Sequence, residues 1–570
     1  MVEELINSSA DGTTPRRIAD AYVHALADLD PLTAVYLGLN PGDDRLPDLS
    51  PAGQAALAGL ARRTLAQLDA VEAAGAVDDE AERRCARLLR ERLTAELAVD
   101  EAGENFRAVR NLGAPVHGVR EVFNLMSTET DEQWALVGRR MARVPLALEQ
   151  HRALLAEGIE RGLLSGPRQV VTVVGQIGEW LEGETPGGWF GDFVKDAPEA
   201  QREGLAGTAV KATAALAELR DWLRDVYGPA AAETPDTIGR ERYARFVRYW
   251  TGADLDLDEA YTWAWSQFHD LDAQMRAEAE KVLPGSTPME AMKWLESDGP
   301  AIKGEENARE YLQALMDQAI TDLQGVHFDL ADPLLKVESR IAPSGSAAAP
   351  YYTAPSLDFA RPGRTWLPTL GRESFPVWDL VSTWYHEGVP GHHLQLAQWT
   401  YVADRLCTYQ VTLGAVSANL EGWALYAERL MDELGYLTDP GARLGYLNAQ
   451  MMRALRVIVD IGMHVGLNFP AESPYLPGEP MLPDDARAFF GQYCGLSTDF
   501  LDSELIRYLG MPGQAIGYKL GERAWLQGRE GAKAAAEARG EAFDLKAWHM
   551  AALSQGSLGL DDLVAELSAL

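Results

Sequence analysis

The sequence predicts a mainly α protein built from many helices, with one small strand-rich insert. Two observations carry this expectation. Alanine- and leucine-rich stretches repeat apolar residues at the 3.6-residue period, with arginine and glutamate on the opposite faces. One region, residues 334–370, breaks that texture with aromatic and β-branched residues set between prolines and glycines.

The elements follow in order. Thr14-Pro15 reads as an N-cap followed by proline in the first turn, opening an amphipathic run through Ile18, Tyr22, Ala25 and Leu26. The helical period recurs at 51–75 and 79–101, then near 131–163, 198–226, 256–282 and 304–325. The insert carries Val337, Ile341, Tyr351, Tyr352, Phe359 and Trp366, punctuated by Pro343, Gly345, Pro350, Pro355, Pro362, Gly363 and Pro368. Short strands and turns are expected there, either as a connecting subdomain or as a sheet whose edge pairs with an extended peptide. Asp379 through Val389 reads as a helix with Leu380, Val381, Trp384 and Tyr385 on its apolar face, and 419–428 is strongly helical. No fixed-period repeat and no flexible linker stand out, so one compact unit over 1–570 is expected. Its sub-regions are a helical lobe (1–330), the strand-rich insert (331–372) and a second helical lobe bearing the candidate chemistry (373–570).

Composition narrows the function classes. The formal net charge is −34, from 85 acidic and 51 basic residues. A nucleic-acid binder needs a basic face to displace counterions, and an acidic envelope repels anionic membranes, so neither partner is expected. Cys85, Cys407 and Cys494 lie far apart with no C-x-x-C pair, which fits a reduced compartment rather than a disulfide framework. The first residues are acidic and lack an apolar core, and no apolar run approaches the ~20 residues of a membrane span. A soluble cytoplasmic protein is the expectation; the residues say nothing of its oligomeric state.

The chemistry concentrates at Trp384-Tyr385-His386-Glu387-Gly388-Val389-Pro390-Gly391-His392-His393, which holds three of the ten histidines. It is nearly the H-E-x-x-H pattern, in which two imidazoles on one helix face hold zinc and the glutamate activates its water. The pattern is broken, because the position four after His386 is Pro390. On a straight helix His392 would lie ~240° away from His386, and His393 would share its face but sit ~10 Å further along the axis. Pro390 cannot donate an amide and forces a deviation, while Gly391 supplies the freedom to make it. A Pro-Gly bulge that takes up two residues would return His392 to the metal, with His393 as the alternative ligand or a supporting group. The bland alternative is a helix end with polar residues.

A catalytic zinc has three protein ligands and an open position. Glu421 and Glu428, seven residues apart in a helical context, are the downstream candidates. Glu421 reads as the third ligand and Glu428 as a group orienting a ligand histidine, or else as a surface carboxylate near Arg429.

The run Glu421-Gly422-Trp423-Ala424-Leu425-Tyr426 is similar to the segment that carries the third ligand in aminopeptidases of the gluzincin class. The whole chain resembles a bacterial family catalogued as domain of unknown function 885. The resemblance rests on His386-Glu387-x-x-Pro390-Gly391-His392-His393, Glu421-Gly422-Trp423-Ala424, Arg456-x-x-x-Asp460-x-Gly462-x-His464 and Gln514-Ala515-x-x-Tyr518-Lys519-x-Gly521. It implies a multi-helix, two-lobed zinc-peptidase-like fold with a deep cleft, similar to helical oligopeptidases and dipeptidyl carboxypeptidases. Carried over by residue, His386, His392 and Glu421 would hold Zn2+ and Glu387 would move the proton. His464 and Tyr518 would donate to the oxyanion. Arg456 would grip a substrate carboxylate or pair with Asp460, and Tyr351, Tyr352 and Arg361 would line the substrate groove.

The expected function is therefore zinc-dependent hydrolysis of short peptides or peptide-like metabolites. Arg456 or Lys519 on a free carboxylate would make it a carboxypeptidase, and an acidic pocket catching a free amine would make it an aminopeptidase. The competing readings are a metal-dependent amidase acting on another metabolite, and a non-catalytic helical binding protein. Gly510-x-x-Gly513 lacks the frame of a phosphate loop, and tryptophans such as Trp263 and Trp265 read as core.

Overall fold

Proline and short polar side chains start many of the helices. In a computed structural model of the chain, which describes residues 14–75, 77, 79–343 and 349–570, Thr14 accepts from the Arg17 amide and Pro15 opens the helix Pro15–Leu29. Ser50 and Pro51 do the same for Pro51–Ala73, and Thr130 with Gln133 forms a capping box for Asp131–Met141. The chain is mainly helical with few strands. Gly345 and the first thirteen residues lie outside the described residues.

The residues cluster into two compact units whose segments interleave along the chain: 1–78, 92–238 and 503–512 in the first, 79–91, 239–502 and 513–570 in the second. The first unit packs helices such as Val144–Glu160, Pro167–Leu181 and Glu199–Trp222 around Phe123, Trp134, Leu155, Ile177, Phe190 and Tyr227. The second unit holds every candidate site residue. Residues 239–330 belong to it as well.

In the second unit, helix α1 (Glu305–Leu323) precedes the insert, and five short strands lie within or beside the insert: β1 (Ala301–Lys303), β2 (Val337–Ile341), β3 (Tyr351–Thr353), β4 (Gly363–Leu367) and β5 (Ser374–Pro376). Strands β2, β4 and β3 form one sheet in that order, β2 parallel and β3 antiparallel to β4, while β1 pairs with β5. Strand structure thus extends beyond 331–372 at both ends. Gln313 of α1 caps the outer edge of β2, its amide bonding the Val337 carbonyl and the Ser339 amide. Alternate residues of β4 (Gly363, Thr365, Leu367) turn inward, as a half-buried strand requires.

Four further helices carry the site: α2 (Leu380–Glu387), α3 (His392–Tyr401), α4 (Ser417–Glu433) and α5 (Pro440–Val465). A sixth, α6 (Gly517–Ala538), packs against α4. Two motif glycines permit that close approach. A Cβ on Gly422 would stand 2.4 Å from the Gly521 carbonyl carbon, and one on Gly521 would stand 2.0 Å from the Ala418 oxygen. The sheet meets α2 where the Trp384 indole donates to Ser339 Oγ at 2.9 Å.

Candidate metal centre

The expected helix over 379–389 is shorter than predicted. It ends at Glu387 because Gly388 leaves the helical region (φ −103°, ψ −116°), and a new helix begins at His392. What was expected as a bulge is a four-residue link between two helices, with a cis Val389–Pro390 peptide. Its hydrogen bonds show how two extra residues are absorbed. The Gly391 amide reaches back to the Tyr385 carbonyl at 3.0 Å, and the His393 amide to Gly388 at 3.1 Å. A helix would bond four residues back; here the first bond spans two more. A Cβ on Gly391 would lie 1.9 Å from the His386 oxygen, so this position requires glycine. Trp423 of α4 donates its indole N–H to the carbonyls of Pro390 and Gly391, both at 3.0 Å, and holds the link from the other side.

The link brings His392 to His386. Their rings meet edge-on with centroids 4.9 Å apart. Glu421 Oε2 stands 3.3 Å from His386 Nε2 and 3.6 Å from His392 Nε2. The three ligand atoms lie within 4.8 Å of one another. Ligands ~2 Å from a tetrahedral zinc stand about 3.3 Å apart, so the donor set and its spacing fit such an ion. Glu421 Oε2 is buried and makes no well-aligned hydrogen bond, its nearest polar neighbours being the two imidazole nitrogens, an arrangement a shared cation would satisfy.

Glu428 settles between its two readings on geometry. It is buried, accepts from His386 Nδ1 at 2.8 Å through one oxygen and from Ser382 Oγ at 2.5 Å through the other. It is not a surface carboxylate, and Arg429 pairs with Glu522 instead. Because His386 Nδ1 donates to Glu428, its Nε2 is left with the lone pair a metal needs. Arg453 adds a guanidinium 3.8 Å from Glu428. Ser382 and Arg453 are supporting residues outside the expected set, and Trp423 enters it only as a motif member with no role of its own; Ser382, one helical turn before His386, carries a readable signal.

Electrostatics follow from burial among carboxylates. Burial opposes charge on His386, yet Glu421 and Glu428 outweigh it and push the imidazole up to about 10, so a metal at Nε2 would displace a proton from it. Glu421 is held far below the usual carboxylate range, the two imidazoles overcoming its burial. Glu387, whose carboxylate is 4.0 Å from His386 Nε2, is raised by burial. The side chains of Glu387, His392 and Glu421 keep 12%, 12% and 21% of their surface exposed against 5% for His386, so solvent reaches the group from their side.

The remaining expected residues are not among the three grouped ligands. His393 is fully committed elsewhere, with Nδ1 at 2.9 Å from the Tyr352 hydroxyl and Nε2 at 2.8 Å from the Leu334 carbonyl. It does not join the ligand group, and burial lowers it to about 4. Tyr352 thereby serves His393, and Tyr351 stacks on Trp366 with centroids 5.9 Å apart. Arg361 donates to the Pro362 carbonyl at 3.4 Å. His464 is buried, its Nε2 3.6 Å from Asp460 and its ring stacked on Tyr243. Arg456 lies over the half-buried Tyr518 ring at 4.8 Å. Lys519 is buried against Glu522 and Gln450, each at 2.5 Å, so it has no freedom to clamp a substrate carboxylate.

Comparison with known proteins gives the family and the fold. Two solved structures share the fold over nearly the whole chain. One is a putative lipoprotein from Colwellia psychrerythraea, with TM-score 0.79, 20% identity, and coverage of 98% of this chain and 99% of that one. The other, a protein of the same description and of unknown function from Shewanella oneidensis, has TM-score 0.76, 19% identity, and coverage of 98% and 100%. A Pyrococcus furiosus carboxypeptidase aligns only at TM-score 0.34 and 13% identity, covering 86% of this chain and 96% of that one, too distant to bear on activity. No curated protein matches the sequence. Among the described residues no helix is long and apolar enough to cross a membrane. The family model described as bacterial protein of unknown function (DUF885) matches residues 31–567, and the chain belongs to that family.

Proposed function

We propose that the protein is a gluzincin-like metallohydrolase that cleaves amide bonds of short peptides or peptide-like metabolites, with Zn2+ held by His386, His392 and Glu421. The observation that carries this reading is the convergence of those three ligand atoms beside the partly exposed carboxylate of Glu387, 4.0 Å from His386 Nε2. Zinc in such a set supplies a Lewis acid for the scissile carbonyl and acidifies a water. Glu387 takes the proton of the attacking water and delivers it to the leaving amine; its raised proton affinity suits it to carry that proton. Glu428 and Ser382 keep His386 oriented. Of the two oxyanion donors expected by motif, Tyr518 keeps part of its surface exposed whereas His464 is buried, which favours Tyr518 as the donor. Arg456, stacked on Tyr518, acts with it rather than as a free clamp.

The test is metal content by elemental analysis on the wild type, His392→Ala and Glu421→Ala, with turnover of a short-peptide library measured on Glu387→Gln. One zinc per wild-type chain is expected, lost in both ligand variants, together with peptide cleavage that Glu387→Gln reduces by about a hundredfold or more without releasing metal. A wild type that takes up no divalent metal overturns the reading. Metal binding with activity on small amides alone would favour an amidase instead.

A further inference from the structure

The two histidine ligands are held in different ways. His386 is oriented through its own ring, by Glu428 on Nδ1. His392 has a buried Nδ1 with no hydrogen-bond partner. Its ring is therefore aimed by the backbone that carries it, and that backbone is gripped one residue later. His393 is anchored at three points: its amide on the Gly388 carbonyl, its Nε2 on the Leu334 carbonyl and its Nδ1 on the Tyr352 hydroxyl. A carbonyl only accepts, so Nε2 carries the proton and donates to Leu334, and Nδ1 accepts from the Tyr352 O–H. The pair is built into the insert: Gly363 of β4 leaves room for it, since a Cβ there would stand 2.2 Å from the Tyr352 oxygen and 2.7 Å from His393 Nδ1.

We propose that Tyr352 of the strand insert is a positioning residue for the metal ligand His392, acting through the doubly bonded ring of His393. This gives the second histidine of the pair a role other than ligation, and gives the insert one other than lining a groove. It rests on the metal reading above and adds what that reading does not require, a dependence of the metal geometry on one phenolic oxygen in a neighbouring strand.

The experiment is cobalt(II) titration of the metal-free full chain, reading affinity by competition with a chelator and coordination geometry by the visible absorption of the saturated protein. Tyr352→Phe removes only the oxygen and leaves the ring in place; His393→Gln removes the acceptor at Nδ1 by a second route. Tyr401→Phe, an exposed tyrosine on the same helix as His392, is the control. Both Tyr352→Phe and His393→Gln are expected to weaken cobalt binding about tenfold and to change the bands of the saturated protein, with Tyr401→Phe matching wild type. The proposal is overturned if Tyr352→Phe binds within twofold of wild type, or if it binds weakly with an unchanged saturated spectrum, which would mean a loss of stability rather than of position. A wild type that binds no cobalt removes the metal reading itself and this proposal with it.

Discussion

The amide of Gly391 donates to the carbonyl of Tyr385, six residues back, at 3.0 Å. That bond closes the link between the two histidine helices and turns a spacing that cannot share a metal on a straight helix into one that can. Any side chain at 391 must displace the His386 carbonyl, 1.9 Å from where its Cβ would stand. Gly391→Ala is therefore expected to weaken zinc or cobalt affinity by about a hundredfold. Metal titration checks it, with circular dichroism showing retained helix; an affinity within threefold of wild type would refute this account of the link.

Ser382 and His386 bond the same carboxylate from successive turns of α2. Ser382→Ala leaves one Glu428 oxygen without its donor, and a roughly tenfold loss of metal affinity is expected. Ser382→Thr, which keeps the hydroxyl, should stay within threefold. The pair of variants separates the hydrogen bond from packing.

Close helix packing explains two glycines that sequence alone assigns to a motif. Gly422→Ala forces α4 away from Gly521 on α6, and a destabilisation of about 3 kcal/mol is expected from the overpacked contact. Chemical denaturation of the metal-free protein measures it; a change under 0.5 kcal/mol would show that the helices part freely.

His151 lies buried in the first unit and is lowered to about 4, burial first, with Arg110 and His117 adding to it. In the unfolded chain it titrates near 6.5, so the folded state binds its proton less readily. The stability this leaves is fully present above pH 6.5 and is lost as pH falls from 6.5 toward 4. The linkage amounts to on the order of 3 kcal/mol. His151→Leu should flatten the fall in unfolding free energy between pH 6.5 and 4 while leaving the profile above pH 7 parallel to wild type. Denaturant unfolding at several pH values reads this directly, and an unchanged acid slope would remove His151 as its source.

Most of the helices were legible because their cause is local. Periodicity and caps such as Thr14-Pro15 and Thr130 with Gln133 lie within a few residues of the elements they start. The insert was legible for the same reason, though the separate β1–β5 pair flanking it was not, since Ala301–Lys303 is too short to announce itself without Ser374–Pro376 beside it. The histidine helix stops at Glu387, two residues short of the expected Val389, because Gly388 and not Pro390 is the first residue to leave the helical region.

Residue identity and spacing along the chain marked the candidate ligands, His386, His392 or His393, and Glu421, with Glu387 beside them as the candidate proton carrier. Tertiary structure alone decided where each is placed and what it touches. The choice between His392 and His393 depends on Tyr352 and Leu334, which occupy both nitrogens of His393 from 41 and 59 residues away. The role of Glu428 depends on which side of α4 faces α2, and the loss of Lys519 as a clamp depends on its buried partners Glu522 and Gln450. Hydrogen bonding between side chains far apart in sequence carries no periodic signal, because it is set by where folded elements meet and not by their spacing along the chain.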